Sequence, residues 1–184
     1  GHTWGSVALV DIQLGGSTLS KVPVNIIGAS SVGADPSACS SGNGPAELTV
    51  NSFGANGILG VGNYIQDCGS SCTINSANSF YYSCPSGTNC VKTTVSLLNQ
   101  VTNPASLVPV DNNGVMISFP APSSPSGVTT MAGQLFFGVN TETSSATANN
   151  YNALGSAKVF QLSPKTGFLT ASYNGNTISK AFID

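Results

Sequence analysis

The chain has 184 residues, 40% of them hydrophobic and only 7% charged, with a formal net charge of -2 and a pI near 5.0. That apolar fraction is enough to build a core and excludes a disordered tail, while charge far below the roughly 25% usual in soluble domains leaves solubility to Ser, Thr, Asn and Gly. The cationic side chains are five lysines, Lys21, Lys92, Lys158, Lys165 and Lys180, spread singly and without Arg, which excludes a nucleic-acid binder because counterion release needs clustered cations and guanine recognition needs the forked Arg.

In chain order, residues 7–14 read as a strand, Gly15-Gly16-Ser17 as a turn, and residues 18–27 as a second strand in which Val22, Val24 and Ile26 alternate with Lys21, Pro23 and Asn25. This predicts a hairpin with one buried face. Residues 28–45, rich in Ser, Gly, Ala and Pro, are a loop carrying Cys39. In residues 55–62 Gly alternates with small apolar side chains, which predicts a short buried run that lets other backbone approach closely. Residues 67–90 form a long polar insertion that needs staples of its own. The spacing of Val95, Leu98 and Val101, with Thr93 or Thr94 as cap and Asn103-Pro104 as stop, predicts one helix over 92–102.

Beyond Pro104, strands are predicted at 107–110, over Val115, Ile117 and Phe119 after the turn Asp111-Asn112-Asn113-Gly114, and at 134–139, 157–162 and 168–173, with Asn174-Gly175 turning into 177–183. The Pro/Ser segment at 120–127 is a surface loop. One helix among about ten strands gives an all-β class, a barrel or a sandwich.

Five cysteines occur, at Cys39, Cys68, Cys72, Cys84 and Cys90. The spacings Cys68-Gly-Ser-Ser-Cys72 and Cys84-Pro-Ser-Gly-Thr-Asn-Cys90 suit short disulfide loops in an oxidising compartment, although spacing alone leaves the pairing open. The rival, a Cys₄ zinc site, requires tight knuckles of about two to four residues, and one gap here holds five residues including a Pro. The odd cysteine, assigned to Cys39, points to a partner on another chain or on sequence outside these residues. No run approaches the ~18 uninterrupted apolar residues of a membrane helix. The expected setting is secreted, periplasmic or at the cell envelope, with any export signal already removed.

Standard catalytic constellations are absent. His2 is the only histidine and lies beside the amino terminus, so it reads as a structural residue. Gly57-x-x-Gly60-x-Gly62 has the wrong spacing for a nucleotide loop. The acids Asp11, Asp35, Glu47, Asp67, Asp111, Glu142 and Asp184 are scattered, so no glycosidase pair or calcium loop is readable. Asp184 stands apart because it follows the apolar Phe182 and Ile183, where partial desolvation would raise its pKa.

The order of segments resembles the pepsin-like aspartic peptidase family. Ser6-Val-Ala-Leu-Val-Asp-Ile-Gln-Leu-Gly-Gly16 is similar to the strand pair leaving the family's flap, and Asn56-Gly-Ile-Leu-Gly-Val-Gly62 to its Asp-Gly-Ile-Leu-Gly-Leu segment. The 95–101 helix with Ser106-Leu-Val-Pro-Val110, then Gly133-Gln-Leu-Phe-Phe-Gly138, then Lys180-Ala-Phe-Ile-Asp184 resemble later segments in the same order, the last as the run-in to the second Asp-Ser/Thr-Gly motif. The resemblance is to a secreted bacterial branch of the family and spans nearly the whole chain. It implies a double-lobed β-barrel or sandwich with one or two short helices, residues 1–104 belonging to the N-terminal lobe and residues 105–184 to the C-terminal lobe.

Family chemistry uses two carboxylates about 3 Å apart that share one proton. The resemblance places only Asp184 in such a position, with its partner aspartate outside this chain, no cofactor and no metal. The implied protein is therefore a fragment of a peptidase homologue, inactive alone, whose ligand is a polypeptide substrate or a protein. The alternative is a non-catalytic pepsin-fold protein with a binding or structural role in the envelope. Lobes divided in this way would leave sheet edges open to self-association.

Overall fold

The hairpin at the start of the chain is the longest regular element of the structure, a computed structural model that describes residues 1–141, 163 and 168–181. Strand β1 (Gly5–Leu14) pairs antiparallel with β2 (Ser17–Ile27) through the two-residue turn Gly15-Gly16. Both turn residues have positive φ, 55° and 83°, the twist that matches two right-handed strands and that a side chain disfavours. Past Val10, paired with Val22, the register slips so that Ile12 meets Leu19. Two residues of β2, Ser20 and Lys21, thus oppose Asp11 alone, a bulge in which Lys21 takes a left-handed φ of 57° and its backbone N–H donates to Asp11 Oδ1 at 3.0 Å.

The bulge corrects the simple alternation. Leu19 and Val22, three positions apart, are both buried, Pro23 is buried beside them, and Ile26 is exposed. A single extra residue changes which face each following side chain takes.

The chain divides by contact into two units, one comprising Gly1–Gly60 and Tyr64–Pro104, the other Val61–Asn63 and Ala105–Asp184. In the first unit, single helical turns α1 (Ser37–Ser40), α2 (Val50–Phe53) and α3 (Ser71–Ile74) punctuate the loops, and β3 (Tyr82–Ser83) pairs with β4 (Val91–Lys92). The turn α2 carries a capping box, Thr49 Oγ1 accepting from the Ser52 N–H and Ser52 Oγ from the Thr49 N–H. Cys68 bonds to Cys72 and Cys84 to Cys90, two short loops within the 67–90 insertion, and Cys39 is free.

Residues 92–102 do not form the predicted helix. The Thr93 N–H donates to Tyr81 O and the Val95 N–H to Cys72 O, so these amides are spent on neighbouring segments, and only a 3-10 turn remains at Leu97–Asn99. Leu98 is 87% exposed, which shows that the apolar spacing does not mark one buried face. The 55–62 run also departs from expectation: it has no regular structure, and Ile58 is 78% exposed.

Where the chain passes from the first unit to the second, a 3-10 turn, Pro104–Leu107, replaces the strand predicted to begin at Leu107. Strand β5 (Val115–Ser118) pairs antiparallel with β6 (Gln134–Phe137) across the Pro/Ser loop. The Asn113 side chain extends that ladder, its Oδ1 accepting from the Val139 N–H at 2.8 Å and its Nδ2 donating to Val139 O at 2.9 Å. Strand β7 (Leu169–Tyr173) turns at Asn174-Gly175 into β8 (Asn176–Ala181). The strand predicted at 157–162 lies outside the described residues. Strands joined by turns and single-turn helices make this an all-β chain, and among the described residues no helix is long and apolar enough to cross a membrane.

Candidate functional site

In the first unit the start of β1 and the cystine-bearing segment enclose an open cleft of about 700 Å³. One wall is Thr3 to Val7 with Leu9; the other is Phe80, Tyr81 and Tyr82 with the chain at 93–95. Its indole anchor is Trp4, 9% exposed, whose Nε1 donates to Gly33 O at 2.8 Å and whose ring meets Tyr82 edge to face, centroids 5.3 Å apart. Such a pair contributes about 1 kcal/mol beyond its burial and joins the two walls. Phe80 stacks on Tyr81 with centroids 5.5 Å apart and is itself 54% exposed.

Tyr81 is the polar pivot. Its hydroxyl accepts from the Val101 N–H at 2.7 Å and donates to the Asp67 carboxylate, 2.7 and 2.8 Å from the two oxygens. Desolvation pushes the phenol well above its ordinary range, and the neighbouring Asp67 charge adds to this, so it stays a donor at every physiological pH. Asp67 is exposed over the residue as a whole, yet desolvation is the larger influence on its carboxyl and raises it, against the lowering effect of the Tyr81 hydrogen bond. Beneath this pair Gln100 is fully buried and clamps Gly69 from both sides, Oε1 accepting from its N–H at 2.7 Å and Nε2 donating to its carbonyl at 2.9 Å.

Cys39 also lines the cleft. Burial, helped by the Asp35 charge, raises its thiol, so it stands as a neutral, weakly nucleophilic group. His2 has both ring nitrogens engaged, Nδ1 against Gly44 O and Nε2 against Asp35 Oδ2, each at 3.0 Å, and so serves as a strut between loops. Among the described residues no group of three or more His, Cys, Asp or Glu side chains is placed to hold a metal ion.

A family profile described as "Protein of unknown function (DUF3443)" matches residues 1–184. The chain belongs to this family. Searches of curated proteins and of solved structures return no match.

In this DUF3443 chain Asp184, the one residue assigned a catalytic role by resemblance, lies outside the described residues, as does Glu142. Asp35 and Asp67, read as isolated acids, each gain a specific partner, His2 and Tyr81. The cleft residues Phe80, Tyr81 and Tyr82 carry no sequence motif. What signal existed was the clustering of three consecutive aromatics inside an otherwise polar insertion, in a chain with only 8% aromatic residues.

Proposed function

We propose that this chain is the polypeptide-binding part of a secreted bacterial homologue of the pepsin-like aspartic peptidases, with Asp184 as one carboxylate of an acid pair whose partner this chain does not supply. The observation that supports the reading is the cleft beside β1. Among the described residues that strand is paired only with β2, and its residues Gly5 to Val7 and Leu9 line the cleft, so an extended polypeptide would meet unpaired main chain along one wall and aromatic side chains along the other. Strand addition supplies main-chain hydrogen bonds, and the apolar pocket receives alternate side chains.

Hydrolysis in such a protein takes two carboxylates that share a proton. No Asp-Ser/Thr-Gly triplet occurs in the 184 residues, and Asp67, tied to Tyr81, is the one carboxylate among the described residues that line the cleft. The chain alone is therefore expected to bind without cleaving. The same observation favours a second reading, in which the whole protein is a binding protein of the cell envelope.

Trp4 is the only tryptophan and sits in the cleft wall, so its emission reports occupancy. A saturable change in that emission on titration with a reduced, unfolded protein, with no cleavage between about pH 3 and 5, is the expected result. Unchanged emission at saturating polypeptide would remove the binding reading, and pepstatin-sensitive cleavage by the purified chain would refute the claim that it cannot act alone.

A further inference from the structure

We infer that Asp67 sets the specificity of this cleft and selects a polypeptide that presents a Lys or Arg side chain beside an aromatic or aliphatic one. The inference rests on the polypeptide reading above and deepens it. Of the described residues that line the cleft, Asp67 alone is formally charged, and no Lys is among them. The ion pairs among the described residues are Gly1 with Glu47 and His2 with Asp35, so Asp67 has no cationic counterpart there, and Lys92, just past the insertion, donates to Ala77 O.

The carboxylate is held in place without being saturated. Because the Tyr81 hydroxyl already accepts from the Val101 N–H, its proton is committed to Asp67, which orients both groups. A carboxylate offers about four acceptor positions, and the side-chain donor to Asp67 is the single Tyr81 O–H, while the Asp67 N–H donates away from it to Val101 O. Capacity for a further donor remains. A basic side chain would bring two matching features at once, a charged head for Asp67 and an alkyl stem for the stacked Phe80 and Tyr81, whose ring faces also attract a cation. An acidic ligand meets repulsion at the same place, and a bare metal ion would find one carboxylate where it needs several ligands.

The test uses Trp4 emission and three extended peptides that differ only at a central position, Lys, Gln or Glu between two Phe. The expected order of affinity is Lys over Gln over Glu, with Lys about fivefold tighter than Gln, as a partly solvated ion pair gives, and a gap that narrows in high salt. Asp67→Asn is expected to close the gap. Should that variant fail to fold by circular dichroism, the wild-type series at low and high salt decides the matter. Equal binding of all three peptides would overturn the charge selection while leaving the polypeptide reading intact, whereas no response to any peptide would remove both.

Discussion

Two acids of the first unit respond to pH with opposite sign, one set by a hydrogen bond and the other by desolvation. The hydrogen bond from His2 is the largest influence on Asp35 and holds its carboxyl below the ordinary value of 3.8. A group lowered on folding contributes stability that is present above its unfolded pKa and is lost as pH falls through the folded one. Asp67 is raised, chiefly by desolvation, so its contribution is present below the unfolded value and fades as pH rises through the folded one. In calorimetric melts between neutral pH and about pH 3, the wild-type midpoint is expected to fall in the acid limb, and Asp35→Asn to flatten that limb. An acid limb of the same slope in the variant would show that the His2 contact does not act on stability. None of this was legible from residue type: His2 read as a terminal residue and Asp35 as a loop acid, and only folding brings positions 33 residues apart to 3.0 Å.

Elements whose geometry is decided by two adjacent residues were readable in advance, and those decided by distant contacts were not. Gly15-Gly16 and Asn174-Gly175 each force positive φ at both positions, and each joins two strands in the structure as the dipeptides predict. The bulge opposite Asp11 escaped, because nothing in Ser20-Lys21 marks a left-handed residue. The 92–102 segment has a helical spacing of apolar residues, but its amides pair with Tyr81 and Cys72 and its Gln100 side chain is needed at Gly69, so tertiary partners override a weak local preference. The turn gives a clean measurement of the local term. At Gly16, with φ of 83°, a Cβ would meet nothing within 4 Å, so the effect of Gly16→Ala is conformational alone. It is expected to lower stability by about 1 kcal/mol in urea unfolding, and Gly16→Asn by roughly half as much, since Asn tolerates left-handed backbone. Equal losses would mean that the backbone preference is not what holds the turn.

At the scale of the molecule, few side chains are deeply buried: Trp4, Leu19, Val22 and Cys72, with Pro23 and Pro104, make up the buried apolar set of the first unit. So thin a core suits a chain that relies on covalent closure, and both disulfides lie in the segment that builds one cleft wall. The spacing of the cysteines pointed to short loops in advance, but the wall itself was invisible because Trp4 and Tyr82 meet from 78 positions apart in the sequence. Closing loops with sequence separations of 4 and 6 constrains the unfolded chain by about 2 kcal/mol each. Reduction should therefore act unevenly within the first unit. Cys72 is wholly buried and its carbonyl accepts from the Val95 N–H, while Cys68 adjoins the Gly69 that Gln100 clamps, so release of that bridge loosens the support under Tyr81 and Asp67. The β1–β2 ladder owes its register to its own turn and bulge, and contains no cysteine. Hydrogen exchange after reduction should rise first at Gly69, Thr93 and Val95, with the β1–β2 amides following only on global unfolding, and Trp4 emission should lose its response to polypeptide in the same step. Simultaneous loss of protection in both segments would mean that the disulfides hold the whole unit together and not only the cleft wall.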